Sequence, residues 1–66
     1  MSEHDIEIRP LRGGWEVSER AEQLVFPTLA LAVTYARYRS LLRSGKIRIY
    51  DAAGRLDEVI TNPPER

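Results

Sequence analysis

Side chains able to do chemistry are few in this 66-residue chain and poorly grouped for it. His4 is the single histidine and there is no cysteine, so no thiolate can attack and no His/Cys set can hold zinc. The serines (Ser2, Ser18, Ser40 and Ser44) have no base near them in sequence, and Ser44 beside Gly45 reads as helix-end chemistry. Carboxylates fall as Asp5/Glu7, Glu16/Glu19 and Asp57/Glu58. General acid–base work needs one member of a pair in a drier environment than the other, and alternation puts most of these on wet strand faces. Gly13-Gly14 lacks the following helix and the Lys-Ser/Thr of a phosphate loop, so it reads as a hairpin turn. The expectation is a non-catalytic chain that uses no metal and no cofactor.

One charged segment stands apart. Ten basic and ten acidic residues balance overall, yet residues 1–36 carry net −3, 37–48 carry +5 and 49–66 carry −2. Arg37, Arg39, Arg43, Lys46 and Arg48 make up the positive block. Lys46, Arg48 and Tyr50 alternate on one strand face, where cations can meet phosphates and the ring can stack on a base. Against this stand the neutral total and the acidic strand faces, which can pair across strands with Lys46 and Arg48. Nucleic-acid binding through these six residues is the alternative reading.

The elements that must position such groups follow from periodicity. Ile6 and Ile8 alternate with Asp5, Glu7 and Arg9 as a strand, with Pro10 at an edge or an end. Gly13-Gly14 supplies positive-φ turn positions, and Trp15 and Val17 point inward from the next strand. Residues 18–23 are polar and read as a loop before the short strand Leu24-Val25-Phe26. Thr28 is placed to cap a helix that runs to Ser44 and stops at a left-handed Gly45. Lys46 to Tyr50, a turn over Asp51-Ala52-Ala53-Gly54, and Arg55 to Ile60 form a second hairpin. Leu56, Val59 and Ile60 break strict alternation, so that last strand either carries a bulge or ends early. The fold class expected is α+β, a small antiparallel sheet in β-β-β-α-β-β order with one helix on one sheet face. Residues 1–4 read as a flexible N-terminus, 5–60 as a single domain and 61–66 as a tail.

That helix is apolar on two sides. Leu29, Ala32, Val33 and Ala36 share the stripe that faces the sheet, where the alanines allow close approach. Leu31, Tyr35, Tyr38 and Leu42, with Leu41 beside them, fall on nearly the opposite side and need a cover. A folded-back tail or wet tyrosines would account for them, but an interface with a second copy also supplies support that so short a chain lacks. The favoured reading is therefore a self-associating protein-interaction module, most simply a homodimer, with other protein partners also open. Absence of cysteine fits a reducing cytoplasm, and neither a secretory leader nor a membrane-spanning run is visible.

The order Gly13-Gly14-Trp15-Glu16-Val17, Phe26-x-Thr28 with Ala32 and Ala36, Gly45-Lys46-Ile47-Arg48-Ile49-Tyr50 and Gly54-Arg55-Leu56 resembles the small bacterial family called domain of unknown function 2188. Members share Gly-Trp-x-Val, a Phe/Tyr-x-Thr helix entry with alanines four apart, and a Gly-Arg-Ile hairpin. The resemblance covers residues 13–60 and departs at Thr61-Asn62-Pro63-Pro64, where the family often continues into Ser-Tyr-Gly and Asp-Pro. It implies the same small α+β fold and transfers no catalytic residue, because the family carries no established activity.

Overall fold

The computed structural model describes residues 5–61, apart from Ser44 and the side chains of Leu42 and Arg43. Strands β1 (Ile6–Leu11), β2 (Gly14–Glu19) and β3 (Glu22–Phe26) precede helix α1 (Leu29–Arg43), and β4 (Lys46–Tyr50) and β5 (Leu56–Thr61) follow it. The α+β class and element order are those expected, and the strands form one sheet ordered β3-β2-β1-β4-β5.

The sheet is mixed and not purely antiparallel. β1 and β4 run parallel, with Ile6 opposite Ile47 and Ile8 opposite Ile49, while the three hairpin pairs are antiparallel. The reason is the crossover: α1 returns the chain over the sheet from the edge strand β3, so β4 enters from the same end as β1 and pairs beside it.

Alternation decides what is buried. Ile6, Ile8, Val17, Ile47 and Ile49 project to one face and bury completely or nearly so against Ala32 and Ala36 of α1. Each isoleucine contributes roughly 1.5–3 kcal/mol by leaving water. Trp15, Phe26, Leu29, Val33, Tyr35 and Ile60 pack partly buried around this centre. Thr28 caps the helix as its sequence position predicts, its Oγ1 accepting from the Leu31 N–H at 3.2 Å.

Several local expectations need correction. Gly13 has the positive φ of the first turn (+82°), but Gly14 already belongs to β2, and a Cβ there would lie 2.5 Å from the Phe26 carbonyl oxygen. The two glycines are thus required for different reasons, one conformational and one steric. The polar stretch 18–23 is no loop: β2 continues to Glu19 and β3 begins at Glu22, joined by a tight turn in which Arg20 adopts φ 56°. A two-residue hairpin turn matches the strand twist only with such left-handed residues, and pairing within the ladder overrides the low β-propensity of the polar run. Pro10 lies inside β1, opposite Trp15, but the β4 pairing stops at Ile8, so at Pro10 the strand has one neighbour only.

At the second hairpin the bulge alternative holds. Ile49 is opposite Glu58 and Tyr50 opposite Leu56, leaving Asp57 as the extra residue. The turn is closed by Asp51, whose Oδ1 accepts from the N–H groups of Ala53 and Arg55 at 2.9 Å each, with Gly54 at φ +83°. Thr61, assigned to the tail by sequence, ends β5 opposite Lys46. The left-handed cap at Gly45 depends on Ser44 and lies outside the described residues, as do the expected N-terminal segment 1–4 with His4 and the tail 62–66.

Candidate interaction surfaces

The outer side of α1 divides the predicted stripe. Leu31, Tyr38 and Leu41 are 50, 62 and 66 % exposed, and at 100° per residue they lie along one side of the helix, away from Ala32 and Ala36. Tyr35 leaves the set: it is half-buried, its ring 5.2 Å from that of Phe26 and tilted by 36°, so it seals the helix against β3. The Leu42 side chain lies outside the described residues.

The basic block is distributed over two layers. Because Ile47 and Ile49 face the helix, Lys46, Arg48 and Tyr50 share the opposite sheet face, while Arg37 and Arg39 ride on α1. The Arg43 side chain lies outside the described residues. Most of the rest is engaged within the chain. Arg48 Nη1 lies 2.8 Å from Asp5 Oδ2, an ion pair by distance although its N–H is not aligned for a hydrogen bond. The second Asp5 oxygen, Oδ1, accepts from the Lys46 N–H at 3.0 Å. Burial is the largest influence on the Asp5 carboxyl and pushes its pKa up. The Lys46 amide, the Arg48 guanidinium and the charges of both together outweigh it and hold the pKa below the usual aspartate value.

Tyr50 is not free to stack. The Arg9 guanidinium covers its ring at 4.6 Å, Arg9 Nη1 pairs with Glu7 Oε1 at 2.7 Å, and the Tyr50 hydroxyl donates to Glu7 Oε2 at 3.5 Å. A nucleobase would have to displace Arg9 from that ring.

Glu19 is the polar residue that sequence reasoning misplaced. It is only 5 % exposed and accepts from Arg39 Nε at 3.0 Å through Oε1, tying the end of β2 to α1. The carboxylate in turn raises the Arg39 pKa, keeping the guanidinium charged. Its Oε2 has no hydrogen-bond partner among the described residues. The signal was present: Glu19 has the inward parity of Trp15 and Val17, but reading 18–23 as a loop concealed it. A pocket of about 260 Å³ lies here, lined by Glu19, Arg20, Ala21, Glu22 and Arg39. Its walls carry two carboxylates and two guanidinium groups, an arrangement suited to ion pairing. Ser18 and Ser40 are on different elements, and Ser40 is fully buried.

No group of three or more His, Cys, Asp or Glu suited to a metal ion occurs among the described residues. No helix among them is long and apolar enough to cross a membrane. Comparison with models of known families, with curated proteins and with solved structures gave no significant match.

Proposed function

We propose that this domain is a non-catalytic protein-interaction module that self-associates through the outer side of α1, with Leu31, Tyr38 and Leu41 at the centre of a homodimer contact. One observation carries the reading: these three large apolar side chains are exposed along one stripe of a helix whose other side is already occupied by the sheet. A core of five aliphatic strand residues and two alanines is thin, so covering the stripe adds support where it is scarce. Leu42 shares the stripe in the sequence pattern alone, whereas Tyr35 packs on Phe26. The nucleic-acid reading has weaker support, because Arg39 and Arg48 are paired with carboxylates and Arg9 covers Tyr50. Cysteine-free composition suits a reducing cytoplasm.

We also retain the relationship to domain of unknown function 2188. The residues that carry the resemblance have defined structural uses: close contact at Gly14, the cap at Thr28, burial at Ala32 and Ala36, and the turn at Gly54.

Analytical ultracentrifugation tests the proposed association. The wild-type chain is expected to sediment at twice its 7.6 kDa mass at micromolar concentration, and Tyr38→Asp, which alters an exposed residue, as a folded monomer. A monomeric wild type would remove the proposal.

A further inference from the structure

We infer that the outer edge of β5 is a second, separate docking surface, which accepts an extended basic segment of a partner protein as an added strand. β5 is the terminal strand beside β4, and α1 packs on β1 to β4 without reaching it. Among the described residues nothing pairs with the outer edge of β5, and every one of its residues except Ile60, which packs against the core, is exposed. Edge strands present unpaired backbone N–H and C=O groups that an incoming strand can satisfy, and they are commonly guarded by proline or lysine. Leu56–Thr61 contains neither, and the bulge at Asp57 leaves Glu58–Thr61 in regular pairing with β4. The edge carries Asp57 and Glu58, which form no ion pair among the described residues.

These charges select the occupant. Antiparallel pairing of β5 with a second copy of itself in a register centred on Asp57 and Glu58 would set the carboxylates of both copies side by side, and like charges there are destabilising. A strand alternating basic and apolar residues fits instead. Its cations reach Glu58 on the helix side of the sheet, while its apolar residues extend the row formed on the opposite face by Leu56 and Val59, which are 52 and 43 % exposed beside Tyr50 and Arg48. β3, the other edge, is a poorer host because α1 packs against it and Glu22 is its only acid.

The test uses the full chain and a short capped peptide that alternates lysine and valine, followed by amide chemical shifts and hydrogen exchange. The expected result is shift changes and new protection concentrated on residues 56–61, binding that weakens with salt, and no binding of a glutamate–valine peptide. Reversing both charges, Asp57→Lys with Glu58→Lys, is expected to weaken binding about tenfold, the sum of two exposed ion-pair effects. The variant's far-UV spectrum checks that it remains folded. Absence of shifts at millimolar peptide, shifts centred on β3 or α1, or unchanged affinity in the folded double variant would overturn the inference. None of these outcomes depends on whether the chain dimerises through α1, which sedimentation reads separately.

Discussion

Asp5 reaches across the parallel junction to Lys46: its Oδ1 accepts from the Lys46 backbone N–H at 3.0 Å, fixing the start of β4 against the start of β1. The contact lies at the only parallel pairing among the described residues, where no tight turn sets the register. With Arg48 on the other carboxylate oxygen, a single exposed-looking acid near the N-terminus becomes part of the sheet's alignment.

Stability should therefore show an acid dependence traceable to Asp5. Its folded pKa is lowered, so its contribution is fully present above the unfolded value, about 3.9, and is lost as pH falls through the folded value below that. Asp5→Ala is expected to cost about 1–2 kcal/mol at neutral pH, and Asp5→Asn less, since it keeps an acceptor for the Lys46 amide. Urea unfolding at pH 7 and pH 3 checks this: the gap between wild type and Asp5→Ala should narrow at the lower pH, and a constant gap would contradict the assignment.

The two tyrosines of α1 should separate cleanly. Tyr35→Ala removes the ring packed on Phe26 and is expected to destabilise the domain by about 2–3 kcal/mol. Tyr38→Ala changes an exposed position and should shift the stability of the isolated subunit by no more than about 0.5 kcal/mol. Equal losses in denaturant melts at sub-micromolar concentration would contradict the division of the stripe.

Gly14→Ala should be worse than Gly13→Ala. At Gly14 the added methyl meets the Phe26 carbonyl oxygen, main chain that cannot turn aside, and a loss of about 2 kcal/mol or more is expected. At Gly13 there is open space and the loss is the conformational strain of a positive φ, about 1 kcal/mol. Thermal melts of the two variants give the order directly.

Enlarging the helix's small contact residues should push the layers apart. Ala36 is completely buried against the isoleucines, so Ala36→Leu is expected to cost about 1–3 kcal/mol through overpacking. The same change at exposed Ala30 should be tolerated within about 0.5 kcal/mol. A neutral effect at Ala36 would mean that the helix does not lie as close to the sheet as described.

By itself the sequence determined what short-range physics can encode. Alternation placed Ile6, Ile8, Ile47 and Ile49 on inward faces, Thr28 began the helix, and Ala32 and Ala36 marked its sheet-facing side, because periodicity and capping act within a few residues. It also exposed Leu31, Tyr38 and Leu41 as surplus to the core, though not the turn of Tyr35 toward Phe26. Only the tertiary structure decided that β4 lies parallel to β1, that Asp5 holds Lys46 and Arg48, and that Glu19 is buried on Arg39. Those contacts join residues 20 to 43 positions apart, and which strand neighbours which depends on the path of the crossover and not on the pattern within any one strand.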